Sequence, residues 1–167
     1  MSRWLEVPEH VTDNPGELPG GFRAAGVACG LKPSGGMDLG LLVCSEADCV
    51  SAARFTRSGV LAAPVVLTKE RSRLDAIRVV VANSGNANAA TGRRGFEEAA
   101  RMQGAAAMAG GVREDQVAVA STGVIGVLLD ASEAIRGIAR ARSELREYGH
   151  GDFSEAIQTT DKFAKEV

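Results

Sequence analysis

Three short stretches carry residue types suited to holding a polar ligand or a developing negative charge. Asn83-Ser84-Gly85-Asn86-Ala87-Asn88-Ala89-Ala90-Thr91-Gly92 packs three asparagines and two glycines into ten positions. Amide side chains both donate and accept, and glycine and asparagine tolerate left-handed backbone, so the stretch suits fixing a polar ligand or a second loop. The same amides could serve only their own turn. The GxGxxG and GxxxxGK[ST] spacings are missing, which argues against a phosphate cradle. In Ser121-Thr122-Gly123-Val124-Ile125-Gly126 a strand breaks into a glycine-rich turn. A glycine N–H is unshielded by a Cβ, and the Thr122 hydroxyl adds a second donor beside it, so Thr122 and Gly123 together could form an oxyanion hole. One such donor contributes about 3 kcal/mol of transition-state stabilisation. A plain strand-to-loop turn would use the same residues. In Thr159-Thr160-Asp161-Lys162, hydroxyls beside a carboxylate could bind an amino acid's ammonium or carboxylate, or could cap a helix.

An attacking group is harder to find. No Ser, Thr or Cys has a neighbouring His or Lys arrangement that would mark it as an activated nucleophile. His10 and His150 lie near opposite ends of the chain, and Cys29, Cys44 and Cys49 have no metal-type spacing, so neither a Ser-His-Asp triad nor a metal site is expected. The three thiols are expected to be reduced and partly buried. Spacing alone therefore yields an acceptor site without an attacker.

The elements that must position these stretches follow from pattern. Leu39 to Val43, Val50 to Thr56, Val60 to Thr68 and Ile77 to Ala82 read as strands, in quick succession and so antiparallel. Phe96 to Ala109 runs at helical spacing with small residues that imply tight packing. Gln116 to Ala120 is a short buried strand. Asp130 followed by Glu133 resembles a capping box opening a helix through Ile135, Ile138, Arg142 and Leu145, and Phe153 to Asp161 reads as a short helix. The order predicts an α+β fold, a layered α/β sandwich with mostly antiparallel sheets. Residues 1–20, polar and carrying Pro8, Pro15 and Pro19, read as an extended arm, and 21–167 as a single α+β domain.

Composition agrees with an ordinary globular domain. With 45% hydrophobic residues over 167 positions the chain can bury roughly 70% of its unfolded surface without disulfides or metal. Nineteen basic against 21 acidic residues give no electrostatic reason to expect nucleic acid or a membrane as partner, and 4% aromatics works against base stacking. No apolar run reaches the ~20 residues of a membrane span, and the polar start excludes a signal-peptide core, so a cytoplasmic protein is expected.

Several blocks together resemble the ornithine acetyltransferase family, also called glutamate N-acetyltransferase. They are Gly20-Gly21-Phe22-Arg23-Ala24-Ala25-Gly26-Val27, Phe55-Thr56-Arg57 with Ala62-Ala63-Pro64-Val65, the Asn83 to Gly92 stretch, Ala120 to Gly126, and Ala156-Ile157 with Thr159-Thr160-Asp161, in family order from about Gly20 to Lys165. Members are similar in being one precursor that cuts itself into an α and a β chain. The threonine freed at the start of the β chain is the nucleophile; it takes acetyl from N-acetylornithine and passes it to glutamate in arginine biosynthesis.

This chain looks like the α chain, and the Ala-Thr-Met-Leu type cleavage motif is expected beyond Val167. The resemblance implies that Thr122 and Gly123 form the oxyanion pair, that Thr159 contacts substrate, and that the fold is completed by the β chain in an α2β2 or higher assembly. No resident cofactor is implied, with acetyl-CoA open as a co-substrate because some members accept it. Lys165 matches a lysine other than the family's substrate-binding one, which falls after this chain. A self-cleaving aminopeptidase or amidohydrolase relative and a non-catalytic binding subunit are the alternatives. The chain departs from the family at Asn88-Ala89-Ala90-Thr91-Gly92, where a cysteine is usual. It also departs at Leu128-Leu129 and at Gln158, Lys162 and Ala164, around the Thr-Thr-Asp block. Expressed alone, such a chain is expected to be poorly soluble.

Overall fold

The computed structural model describes residues 18–161. Most of the arm expected for 1–20, as well as Lys165, lies outside the described residues. Four strands, β1 (Phe22–Val27), β2 (Leu39–Cys44), β3 (Val79–Asn83) and β4 (Val117–Ser121), form one sheet in the order β1-β2-β3-β4. The first three pair antiparallel, and β4 runs parallel to β3. The sheet is therefore mixed, which corrects the mostly antiparallel expectation. The reason is the helix α2 (Gly92–Gly110), which carries the chain from the end of β3 back to the start of β4, as a parallel pair requires.

Alternation of side chains divides the sheet into two faces. Ala25, Val27, Leu39, Leu41, Val43, Val79, Val81, Val117 and Val119 belong to the core under α1 (Ala63–Arg71), α2 and α3 (Ala131–Glu144). Fully buried Leu39, Leu41, Leu67, Met102 and Ile138 each contribute about 1.5–3 kcal/mol of apolar burial. α2 and α3 approach closely because their facing residues are small, Ala99, Ala106 and Ala107 on one and Ala131, Ala134, Gly137 and Ala141 on the other. The short α4 (His150–Ala156) covers β1 and β2 on the opposite face. It seats there because Gly26 and Gly40 are register partners: a Cβ on Gly26 would lie 2.0 Å from the Asp152 carbonyl oxygen, and one on Gly40 2.7 Å from the Phe153 ring.

Three elements differ from the expectation. Val60 to Thr68 is no strand; from Ala63 it is helix α1. Pro64 sits in the first turn, where its missing N–H costs nothing, and the buried positions Ala63, Pro64, Leu67 and Thr68 follow helical spacing. Val50 to Thr56 forms no ladder among the described residues. Ser51 pins it instead, its N–H bonding Asp75 and its hydroxyl bonding Leu74 at 2.9 Å while accepting the Ile77 N–H at 2.8 Å. The last helix ends at Ala156, so Thr159-Thr160-Asp161 follow it as exposed residues. Asp130 does cap α3, accepting the Ser132 N–H at 2.8 Å. The strand β1 is not among the strands expected from pattern, because Ala24, Ala25 and Gly26 give it no alternation of polar and large apolar residues.

Candidate active site

β3 and β4 are parallel and end side by side, Asn83 opposite Ser121, so the loops that follow them leave the same end of the sheet. That is where open sheets with parallel strands bind ligands. The asparagine loop after β3 and the Ser-Thr-Gly turn after β4 are those two loops. Their pairing outlasts the strands in unchanged register, with Thr122 N–H on the Asn83 carbonyl at 3.0 Å, Val124 N–H on Gly85 at 3.2 Å, and a further bridge between Asn86 and Val124. Ala87 N–H returns to Val124 at 2.9 Å, and Gly126 N–H reaches Ala89 at 2.9 Å.

The asparagines hold loops rather than face solvent. Buried Asn83 accepts the Ser121 hydroxyl at 2.6 Å and donates to the Asn86 carbonyl at 2.9 Å. Asn86 donates across to the Val127 carbonyl at 3.1 Å and accepts the Asn88 N–H at 2.7 Å. Asn88, fully buried, donates to the Gly95 carbonyl in the first turn of α2. The amides thus serve their own turn, through the Asn83, Asn86 and Asn88 bonds within it, and also fix the second loop, through Ser121 and Val127.

The close contact depends on two glycines. Gly123 has φ +129° and a Cβ there would lie 2.4 Å from the Gly85 carbonyl carbon; Gly85 has φ +97° and a Cβ there would lie 2.5 Å from the Leu31 carbonyl oxygen. Thr122 and Val124 direct their N–H groups toward the β3 loop. The Gly123 N–H between them makes no bond to that loop. Among the described residues it has no hydrogen-bond partner, and neither does the half-buried Thr122 hydroxyl. The outer edge of β4 is closed: Thr68 bonds both the N–H and the carbonyl of Val119, and Ser72 and Gln103 donate to the Val117 carbonyl.

Thr159 comes to this end by a tether. The Ser84 hydroxyl donates to the Ala156 carbonyl at the end of α4. Ser84 is one register step beyond Asn83 and so lies beside Thr122 on the face that carries α4. Thr159 comes three positions after Ala156, a reach of at most about 11 Å. The structure thus brings the first two stretches together and ties the end of α4, which precedes the third, to the same end of the sheet; it gives no contact between Thr159 and either loop.

The thiols are poor attackers. Burial, then the nearby Asp38 carboxylate, pushes the Cys29 thiol far above its ordinary range, and the adjoining Cys44 raises Cys49. Among the described residues no group of acidic, His or Cys side chains could hold a metal ion, and no helix is long and apolar enough to cross a membrane. An apolar cleft of about 310 Å³ opens between the starts of α1 and α2, lined among others by Val60, Leu61, Val66, Thr91 and Phe96; Thr122, Gly123 and Thr159 do not line it.

The fold is a mixed four-stranded α+β sheet with two interlocked loops at the end of its parallel pair, and two donors on the outer loop lack partners among the described residues. Residues 23–167 match the ArgJ family, and the chain belongs to it. The arginine biosynthesis bifunctional protein ArgJ of Symbiobacterium thermophilum is 46% identical over 151 residues, which are 89% of this chain and 37% of that protein. Its counterpart in Caldanaerobacter subterraneus subsp. tengcongensis is 43% identical over 157 residues, 94% of this chain and 38% of that protein. Among solved structures, the ornithine acetyltransferase of Mycobacterium tuberculosis complexed with ornithine superposes with a TM-score of 0.83 at 39% identity, covering 87% of this chain and 79% of that one. The chain thus spans less than two-fifths of the length of these bifunctional relatives.

Proposed function

We propose that this chain is the α portion of a cytoplasmic enzyme that moves acetyl from N-acetylornithine to glutamate, its nucleophile a threonine that begins a β portion made from the same precursor. In this reading the threonine Oγ bonds to the acetyl carbon, and the carbonyl oxygen becomes an oxyanion held by the Thr122 hydroxyl and the Gly123 N–H. Collapse breaks the bond to the ornithine nitrogen, which leaves with a proton and gives an acetyl-threonine ester. Glutamate's amine then attacks the ester and the threonine hydroxyl is restored. Ester chemistry of this kind needs no resident cofactor, and acetyl-CoA could supply the same acetyl group. Thr159 would contact substrate from the end of α4, and two or more αβ units would assemble.

The observation that carries the reading is the pair of unpaired donors, Thr122 hydroxyl and Gly123 N–H, side by side in a junction where the neighbouring polar groups bond across to the other loop. Thr122→Ala in the enzyme expressed from its complete gene should lower kcat about 100-fold with little change in Tm, because the hydroxyl makes no hydrogen bond among the described residues. Wild-type kcat in that variant would remove the assignment. Following N-acetylornithine with and without glutamate tests the reaction class: release of acetate at a rate indifferent to glutamate would mean hydrolysis instead of transfer.

A further inference from the structure

Asp38 is a fully buried carboxylate just ahead of β2 that the reaction above does not use. Among the described residues no cation pairs with it; the nearby Lys32 ammonium donates to the Met37 carbonyl instead. Four consecutive backbone N–H groups converge on it, Cys29 on Oδ1 at 2.7 Å, and Gly30, Leu31 and Lys32 on Oδ2 at 3.0, 2.6 and 3.0 Å. Converging amides of this sort form an anion-binding nest, and here the anion is the chain's own. The backbone of Asp38 grips a second segment, since its carbonyl accepts the Ser84 N–H at 2.8 Å.

What the nest holds leads to the candidate site. The Leu31 backbone lies directly against Gly85, with the Lys32 side-chain stem alongside, and the Gly85 backbone lies directly against Gly123. The Gly85 carbonyl also accepts the Val124 N–H, fixing the far side of the Gly123 turn. Packed peptides transmit displacement because no flexible group can absorb it. We infer that Asp38 is a positioning residue for the Thr122–Gly123 turn: its carboxylate fixes the Cys29–Lys32 backbone on which the Gly85 and Gly123 peptides are seated, and so sets the direction of the Gly123 N–H. The inference rests on the oxyanion role proposed for that turn, and its consequence for rate follows from the cost of a misplaced donor.

The test uses Asp38→Asn and Asp38→Ala in the enzyme expressed from its complete gene. The asparagine variant keeps the shape but presents an NH2 to donors that require an acceptor, and it carries the test should the alanine variant fail to accumulate. Amide hydrogen exchange should accelerate at Thr122 and Val124 while Val117 to Ala120 keep wild-type protection. The kcat should fall about 10-fold with KM within about twofold. Combined with Thr122→Ala, Asp38→Asn should cost less than about threefold more, because both changes damage one device. Exchange that rises uniformly, or that leaves Thr122 and Val124 protected, would overturn the inference, as would a full 10-fold loss persisting beside Thr122→Ala. Should Thr122→Ala alone prove harmless, the oxyanion reading fails, and the exchange pattern still decides whether Asp38 holds the turn.

Discussion

The described residues divide by whether their polar groups are already spent. Asn83, Asn86, Asn88 and Ser121 bond backbone or each other, whereas the Thr122 hydroxyl and Gly123 N–H remain available for a ligand. Asp38 is spent entirely, and this makes it titrate unusually. Burial pushes its carboxyl up, but the N–H groups of Lys32, Cys29 and Leu31 outweigh it and hold the carboxyl below its ordinary 3.8. A carboxyl depressed in the folded state adds stability that is complete above the unfolded value, near pH 4, and is lost as pH falls through the lower folded value. The charged and titratable groups near it are the Cys29 thiol, the Lys32 ammonium and, through Cys29, Glu133. Urea unfolding of the wild type should therefore weaken more steeply below about pH 4 than that of Asp38→Asn, and parallel curves would show that the carboxylate is not what the nest stabilises.

At the scale of elements, α1 acts as a substitute neighbour for the edge strand β4. A single hydroxyl, Thr68 Oγ1, accepts the Val119 N–H at 3.0 Å and donates to the Val119 carbonyl at 3.2 Å, as an adjoining strand would. Thr68→Val keeps the shape and strands both groups in a buried position, so it should cost about 1–3 kcal/mol, seen as a lower Tm, with KM unchanged. Equal stability of the two proteins would mean water or a shift of the helix replaces the hydroxyl. This helix also marks where sequence reading fell short. Val65 and Val66 drew the segment toward a strand, while Pro64 and the spacing of Leu67 and Thr68, which decide in favour of helix, matter only once the β4 edge is there to be covered. The parallel pairing of β3 with β4 was legible in principle from the helix between them. The two loops were found as site candidates from composition, yet their interlocking was not, because it depends on a register that only the folded sheet sets. Asp38 went unnoticed because a lone acidic residue beside Pro33-Ser34-Gly35-Gly36 looks like an exposed turn until its four amide partners are seen.

The molecule as a whole leaves one surface unfinished. Its strand edges are largely closed from within, β4 by Thr68 and Ser72, and β1 by backbone bonds between Ala24 and Arg146 in both directions. The sheet face that carries α4 is different: α4 packs mainly on β1 and β2, and Leu42, Val80 and Ala118 are half-buried and Ala120 exposed. That apolar strip continues past β4 into Val124, Ile125 and Val127, which are 58%, 68% and 53% exposed. Contiguous apolar surface of this kind is ordinarily covered, and the relatives carry more than half their length outside the region matched here. On the function proposed above, the surface beside the Thr122–Gly123 turn is where the β portion would seat and bring its nucleophile. Ile125→Lys separates this from an idle patch. In the isolated chain the substitution should raise the soluble fraction, because the side chain is exposed there and a charge opposes self-association. In the complete protein the same lysine would be buried without a partner charge, and the amount of this chain co-purifying with the remaining segment should fall several-fold. If solubility and co-purification both match the wild type, the strip covers nothing and the second segment docks elsewhere.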